Sequence, residues 1–373
     1  MTDRATVLER GQTQTGDPTR LRTVMRRAQR GETIRLGFIG GSITQGAWAS
    51  SPERRWVNRV VEWWRATFPE TPIEFVNAGI GATDSYFGAH RAQAHLLDSR
   101  PDFVVVEYAV NDPAEPLFGE TVEGLVRQVL AQPSHPAVML LFTMNDHGGN
   151  AQDVHAPVGE HYALPMVSYR DALWPEVEAG RVAWDDLAAD DLHPKDLGHA
   201  WCADLIVSAL ERVRAETSPP TEAPPPQLPP PLISDVFART AMFHAETLRP
   251  TLNNGWRLDS QPGPIGPGWT ADRPGSELTF SVEGTAFGIL FHRIQGDMGM
   301  LEARVDDAPP VRLDAWYDRD WGGYSLGQLV ARDLAPGTHT LRLRLLDETN
   351  PASTGHRFQV QAVLCAGRDE AKP

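Results

Sequence analysis

The chain has 373 residues, of which 41% are hydrophobic and 22% are charged, a composition typical of a globular protein. Its net charge of −15 disfavours nucleic acid or an anionic membrane surface as the main partner, because both bind through excess positive charge. Two cysteines are too few for a disulfide framework or a zinc ribbon. No run of about 18 apolar residues offers a membrane span, and no apolar signal segment follows Met1, so we expect a cytoplasmic protein.

A proline-rich stretch divides the chain. Residues 219–231 read PPTEAPPPQLPPP, with eight prolines in thirteen positions. Because proline removes the backbone N–H and fixes φ, this stretch predicts an extended polyproline linker rather than a helix or a central strand. We therefore expect an N-terminal extension over 1–32, a first domain over 33–215, a linker over 216–231 and a second domain over 232–373.

Before the linker, strand and helix patterns alternate. The apolar runs that predict strands cover residues 33–39, 73–77, 102–109, 137–143 and 166–169. Apolar residues at helical spacing predict helices over residues 53–68, 84–99, 119–131 and 196–214. Nearly continuous apolar strands separated by helices are typical of a parallel sheet covered on both faces. The ligand site of such a sheet lies beyond the carboxyl ends of its strands.

After the linker the pattern changes to short alternating stretches separated by Gly, Pro and Asp. They cover residues 277–283, 286–292, 300–305 and 338–346. Alternation with period two predicts an antiparallel β-sandwich, which we expect to be jelly-roll-like.

Four short motifs fall at the predicted carboxyl ends of strands or just before the last helix. They are GGSIT at 40–44, NAGIGAT at 77–83, YAVND at 108–112 and DDLHP at 190–194. A serine hydroxyl is a weak nucleophile and needs an adjacent base, which in turn needs a partner to fix its tautomer. Ser42 and His193 supply the first two groups, and Asp190 supplies the third, with Asp191 as the alternative. The Ser42 amide, a glycine amide of the second motif and the Asn111 side chain would stabilise an oxyanion.

This set of motifs resembles the SGNH hydrolases, the GDSL-like esterases and lipases, which are named after their Ser, Gly, Asn and His residues. The resemblance covers about residues 33–210. It implies a flavodoxin-like α/β fold for that part, with Ser42 as the nucleophile and Asp190 and His193 completing a catalytic triad. It also implies that Gly81 and Asn111 join the Ser42 amide in the oxyanion hole.

Two motifs depart from the family pattern. The nucleophile motif reads GGSIT instead of GDSL, and Ala109 stands where the third motif usually has glycine. Gly79 is the alternative to Gly81 as the amide donor, and we also predict that Gly79 and Trp48 line the substrate pocket.

Other motifs are better explained by a structural role than by catalysis or ligand binding. The Gly-Tyr-Ser-Leu-Gly sequence around Ser325 matches the nucleophile elbow of α/β-hydrolases but follows a polar, turn-like segment. The histidines of one segment have no acidic or cysteine partner at a ligand spacing, so we expect no metal; they are His147, His155 and His161. The aromatic residues near 316–324 are consistent with a sugar-binding platform or with ordinary β-sandwich packing.

The motifs together predict a serine esterase without a cofactor that hydrolyses short-chain acyl esters, most simply acetyl esters of carbohydrates. The partner would be a small-molecule or oligosaccharide ester, not nucleic acid or a membrane, and homo-oligomer formation stays open. The alternatives are a carbohydrate-binding or scaffolding protein with a degenerate esterase fold, and a lipase or acylhydrolase that prefers longer acyl chains. A nucleotide-binding protein is disfavoured because Asp84 replaces the third glycine of a dinucleotide loop.

Overall fold

The computed structural model describes residues 2–216, 228–263 and 266–368. Most of the predicted linker, residues 217–227, therefore lies outside the described residues. The chain forms two compact units: the first extends to Ser234 and the second begins at Asp235, except that Ala89–Arg91 group with the second. None of the helices in the described ranges combines the length and apolar character needed to cross a bilayer.

The first unit alternates helices and strands, as predicted. Its helices are α1 (Arg4–Arg10), α2 (Thr19–Gln29), α3 (Ser42–Gln45), α4 (Trp56–Thr67), α5 (Ser85–His95), α6 (Pro116–Leu130), α7 (Gln152–His161), α8 (Tyr169–Glu178), α9 (Trp184–Leu187) and α10 (Asp196–Ala215). Its strands are β1 (Gln12–Gln14), β2 (Ile34–Gly40), β3 (Ile73–Gly79), β4 (Phe103–Glu107), β5 (Ala137–Phe142) and β6 (Met166–Ser168).

The strands of the first unit form one sheet in the order β1-β6-β5-β4-β2-β3. All neighbouring pairs are parallel except β1 with β6, so the predicted parallel α/β sheet is confirmed. Every residue of β4 and β5 is buried, which explains their continuous apolar sequence. The strand order reverses between β2 and β4, and the crevice at such a reversal is where flavodoxin-like sheets bind ligands.

The N-terminal segment belongs to the first unit, although the sequence suggested an extension over 1–32. Four apolar residues of α2 at helical spacing are buried in the same core as the sheet; they are Leu21, Val24, Met25 and Ala28. The segment is also held by Glu176 of α8, whose buried carboxylate accepts hydrogen bonds from Arg10 Nη2 and the Thr2 N–H, each at 2.9 Å. Hydrogen bonds from Arg181 hold the pKa of Glu176 well below its usual value. Burial raises this pKa, but hydrogen bonds from Thr2 and Arg10 lower it further.

The segment that precedes the second unit is also fixed to the first. The Glu123 carboxylate accepts the N–H groups of Leu232, Ile233 and Ser234 at 2.5, 2.8 and 2.9 Å. The compact second unit therefore begins at Asp235, three residues after the start predicted at 232.

The second unit consists mainly of antiparallel strands. These are β7 (Thr240–His244), β8 (Leu252–Asn254), β9 (Arg257–Gly263), β10 (Gly266–Ala271), β11 (Glu277–Gly284), β12 (Ala286–Arg293), β13 (Met300–Val305), β14 (Val311–Asp314), β15 (Tyr324–Ala331), β16 (Gly337–Leu345) and β17 (Phe358–Ala366). One sheet has the order β15-β12-β17-β10-β9, with β7 also paired to β17, and the other has the order β14-β13-β16-β11-β8. The predicted antiparallel β-fold is confirmed, and apolar side chains of both sheets share one core.

Candidate active site

The predicted nucleophile lies on a tight turn at the end of β2. Ser42 is the first residue of the one-turn helix α3 and is 8% exposed. Side chains would not fit at the two preceding glycines, because a Cβ on Gly40 would overlap Thr44 Oγ1 and a Cβ on Gly41 would overlap Asn111 Oδ1. The sequence Gly-Gly-Ser therefore lets the turn approach the neighbouring loop closely.

The structure brings the three predicted triad residues together. Ser42 Oγ lies 2.8 Å from His193 Nε2, and His193 Nδ1 lies 2.8 Å from Asp190 Oδ2. The second carboxylate oxygen of Asp190 accepts the N–H groups of Leu192 and His193 at 2.9 and 2.7 Å. The contact to the imidazole is thus made by Asp190 and not by Asp191, whose backbone carbonyl accepts a hydrogen bond from the Asp146 N–H.

The loop before α10 stabilises the ionised form of Asp190. Partial burial raises the pKa of Asp190, but hydrogen bonds from the His193 N–H, the His193 imidazole and the Leu192 N–H outweigh it, so the pKa lies below its usual value. Trp184 Nε1 also donates to the Asp190 carbonyl at 2.7 Å. An ionised Asp190 can fix the imidazole tautomer that leaves Nε2 free to accept a proton from the serine.

Two of the three predicted oxyanion donors have no hydrogen-bond acceptor among the described residues. Because Ser42 is the first residue of α3, its N–H has no acceptor within the helix. The Asn111 side chain lies against Gly41, and no hydrogen bond engages its Nδ2 within the described part of the chain. A free donor near a nucleophile can stabilise negative charge that develops on the substrate.

The third donor is better supplied by Gly81 than by Gly79. A Cβ on Gly81 would lie 3.8 Å from Ser42 Cβ, so this glycine faces the nucleophile. The Gly79 N–H is already bonded to Asn77 Oδ1 at 2.9 Å. The Gly81 N–H donates to Gln45 Oε1 at 3.1 Å, so the exposed Gln45 side chain must be displaced before this amide can contact a substrate.

Trp48, the other predicted pocket residue, lies just after α3. It is 64% exposed and has a positive φ of 62°. The loop that carries it contacts His199 of α10, whose Nε2 lies 3.0 Å from the Ala47 carbonyl oxygen. Burial lowers the pKa of His199, which favours a neutral imidazole in this supporting position.

The three histidines of the 147–161 segment do not converge. His147 is exposed beside Asp146, His161 Nε2 lies 2.8 Å from the Pro230 carbonyl oxygen, and His155 is buried with Nε2 2.9 Å from Asp112 Oδ2. Within the described ranges, no group of three or more His, Cys, Asp or Glu side chains is arranged to hold a metal ion.

The second serine motif does not form an elbow. Ser325 is buried inside β15, where it pairs with His292 of β12 in an antiparallel sheet. No strand-to-helix turn follows it, because β15 continues to Ala331. The position therefore lacks the backbone shape that exposes a nucleophilic serine.

The sequence reasoning missed a polar network behind the nucleophile. Glu107 at the end of β4 accepts hydrogen bonds from the hydroxyls of Thr44 and Thr143, and all three side chains are buried. A glutamate that ends an otherwise apolar strand, FVVVE, is the signal that could have revealed it.

Known proteins resemble this chain in sequence and in fold. The family model of the GDSL-like lipase/acylhydrolases matches residues 38–201. The crystal structure of a two-domain esterase active on acetylated mannans is 35% identical, with a TM-score of 0.89, and the match covers 97% of this chain and 99% of that one.

A second crystal structure, of a two-domain esterase active on acetylated mannans co-crystallised with mannopentaose, is also 35% identical. Its TM-score is 0.88, and the match covers 98% of this chain and 99% of that one. No curated protein sequence matches the chain. The family model matches most of the first unit, and a two-domain esterase is similar along nearly the whole chain. The chain therefore belongs to the GDSL-like lipase/acylhydrolase family and is a carboxylic ester hydrolase.

Proposed function

We propose that this protein is a serine esterase that removes acetyl groups from acetylated carbohydrates through an acyl-enzyme intermediate. The observation that carries the proposal is the continuous chain of 2.8 Å contacts from Ser42 Oγ through the His193 imidazole to the Asp190 carboxylate. Such a chain supplies a nucleophile, a general base and a group that stabilises the imidazolium, which are the parts that acyl transfer to serine needs.

The first half-reaction forms the acyl-enzyme. His193 Nε2 takes the proton of Ser42 Oγ as this oxygen bonds to the ester carbonyl carbon. Negative charge moves to the carbonyl oxygen, where the Ser42 and Gly81 amides and the Asn111 side chain stabilise it. The imidazolium then gives its proton to the leaving sugar oxygen, the carbon–oxygen bond of the ester breaks, and acetyl-Ser42 remains.

The second half-reaction uses the same groups with water. His193 Nε2 takes a proton from a water molecule, whose oxygen attacks the acetyl carbonyl carbon. The oxyanion contacts form again, and the imidazolium returns its proton to Ser42 Oγ as acetate leaves. Asp190 keeps its charge throughout and holds the ring in place.

Two observations support a carbohydrate ester as the substrate. The two-domain structural relative, 35% identical over nearly the full length, is an esterase active on acetylated mannans. The second unit also carries an aromatic cluster that consists of half-buried Tyr317 and Tyr324 and exposed Trp321, with ring centroids 4.9–5.8 Å apart. Aromatic faces of this kind pack against the apolar faces of sugar rings.

The aromatic cluster is supported by a cation. The Arg293 guanidinium carbon lies 5.4 Å from the Tyr317 ring centroid, and Arg293 Nη1 donates to the Tyr324 hydroxyl at 3.0 Å. Trp321 is 55% exposed beside these two tyrosines. An indole that is exposed and contacts neighbouring aromatic rings fits a sugar-binding role better than it fits core packing.

The test is hydrolysis of nitrophenyl esters from acetate to octanoate by wild type, Ser42→Ala and Ser325→Ala. We expect a preference for acetate that is lost in Ser42→Ala and kept in Ser325→Ala. Acetate should be released from acetylated mannan by wild type and Ser325→Ala but not by Ser42→Ala. Activity that survives Ser42→Ala would refute the mechanism. Equal or higher rates on octanoate would refute the short-chain preference, and glycan binding without Ser42-dependent hydrolysis would favour the carbohydrate-binding alternative.

A further inference from the structure

A buried carboxylate lies behind the nucleophile turn and takes no part in the proposed chemistry. Glu107 ends β4 and is 0% exposed. Its Oε2 accepts a hydrogen bond from Thr44 Oγ1 at 2.8 Å, and its Oε1 accepts one from Thr143 Oγ1 at 2.6 Å. Burying a carboxylate is costly, and an apolar residue would continue this strand without that cost. The carboxylate therefore needs a reason other than packing.

The two threonines lie on different elements. Thr44 is in α3, two residues after Ser42, whereas Thr143 directly follows β5. The Thr44 carbonyl oxygen also accepts a hydrogen bond from Asn77 Nδ2 at 2.8 Å, which connects α3 to β3. Through Thr44, the nucleophile helix is thus bound on one side to β3 and on the other to β4.

The nucleophile helix cannot hold its own orientation. It has only four residues, Ser42–Gln45, and a single helical turn gains too few hydrogen bonds to be stable alone. The direction of Ser42 Oγ must therefore be set by contacts from outside the helix. Within the described chain, the Glu107–Thr44 hydrogen bond is a fully buried contact of this kind.

We propose that Glu107 is a positioning residue for the nucleophile: through Thr44 it fixes α3, so that Ser42 Oγ stays within hydrogen-bond distance of His193 Nε2. The proposal rests on the proposed function, in which Ser42 is the nucleophile. Glu107 touches neither the substrate nor the reacting atoms. Its loss should reduce the rate of Ser42 acylation and leave substrate binding unchanged.

The conservative variant Glu107→Gln should preserve this role. Burial raises the pKa of Glu107 to about 7. The hydrogen bonds from Thr143 and Thr44 lower this pKa, and the nearby charge of Asp112 raises it. A neutral side chain is therefore compatible with the site near pH 7. Glutamine can accept one threonine hydroxyl and donate to the other, so it keeps both contacts.

Thr44→Val and Thr143→Val provide a matched pair for the test. Each removes one hydroxyl from the same buried carboxylate, and the two threonines are 0% and 1% exposed. Only Thr44→Val releases the nucleophile helix. The measurements are kcat and KM for nitrophenyl acetate, the rate at which a fluorophosphonate inactivates the enzyme, and the Tm, with Ser42→Ala as the control for the proposed function.

We expect both variants to lose a similar amount of Tm. Thr44→Val should lose about 10-fold or more in kcat and in inactivation rate, with KM unchanged, because small misplacements of a reacting group cost this much. The loss in Thr143→Val should be much smaller, and Glu107→Gln should stay close to wild type. If Thr44→Val does not fold, Thr44→Ala replaces it, with Thr44→Ser as its control that retains the hydroxyl.

Equal kcat losses in the two valine variants, or a Thr44 variant that loses Tm but not kcat, would overturn the positioning role. Either result leaves the nucleophile assignment intact as long as Ser42→Ala is inactive. Activity in Ser42→Ala would instead refute the proposed function itself, so the two failures can be distinguished.

Discussion

Replacing Asn111 by alanine tests the proposed oxyanion site with little disturbance of the fold. Asn111 follows β4, and its backbone N–H donates to the Tyr108 carbonyl at 2.9 Å, a bond that alanine keeps. Its Oδ1 is buried without a hydrogen-bond partner among the described residues. Among the described residues, the substitution therefore breaks no hydrogen bond that holds the loop, while it removes the side-chain amide that lies against Gly41, the residue before Ser42.

The expected effects on rate and stability differ in size. Losing one oxyanion donor lowers kcat by about 10²–10³-fold, or about 2.7–4 kcal/mol of transition-state stabilisation. The loss in folding stability should be about 1 kcal/mol, the usual cost of a substitution that leaves no new unpaired group. We therefore expect Asn111→Ala to be nearly inactive and still folded.

The assay is kcat for nitrophenyl acetate together with thermal unfolding. Asn111→Asp is the matched control, because it keeps the shape of the side chain but replaces the donor by a carboxylate that repels the oxyanion. It should be at least as impaired as Asn111→Ala. A kcat within about two-fold of wild type in a folded alanine variant would refute the oxyanion role, given the donor losses measured elsewhere.

Four further substitutions test other parts of the structure. Asp190→Asn should lower kcat by about 10⁴-fold with little change in Tm, because the imidazole loses the partner that fixes its tautomer; an active variant would contradict the triad. Gln45→Glu should lower kcat/KM well below that of Gln45→Ala, because its charge would lie at the Gly81 amide; equal values would exclude this amide from the oxyanion site. Glu176→Gln should lower the Tm most at neutral pH. The pKa of Glu176 is lower in the folded protein than in the unfolded chain, where it is about 4.3. The ionised carboxylate therefore stabilises the fold above that pH and ceases to do so as pH falls through the folded pKa. Tm curves of variant and wild type that stay parallel down to acid pH would contradict the assignment. Trp321→Ala should raise KM for acetylated mannan and leave nitrophenyl acetate kinetics unchanged, and an unchanged KM for the polymer would remove the aromatic cluster from substrate binding.

The sequence was most informative where periodicity and local motifs agree. The predicted strand 102–109 is found at Phe103–Glu107, and the predicted helix 196–214 at Asp196–Ala215. The spacing of Asp190 and His193 within one loop was also sufficient to predict their contact, because three residues allow the carboxylate to fold back onto the ring.

Contacts between residues distant in the chain could not be predicted from the sequence. α2 shows a clear apolar stripe, but only the packing against the sheet reveals that the N-terminal segment belongs to the core. All nine residues of β17 are buried, and its sequence changes from alternation in Phe-Gln-Val-Gln to a continuous apolar run, so period two does not identify it as a central antiparallel strand. The pairing of Glu107 with Thr44 joins residues 63 positions apart, and no local pattern encodes such a contact.

The separation of the triad residues along the chain has a consequence for folding. The Asp190–His193 contact spans 3 residues, whereas the Ser42–His193 contact spans 151. Loop-closure entropy makes a contact between distant residues costlier to form, so the nucleophile meets its base only after the intervening core has assembled. In a refolding experiment, the return of hydrolysis should therefore lag behind the far-ultraviolet circular dichroism signal and report the docking of α10 onto the finished sheet.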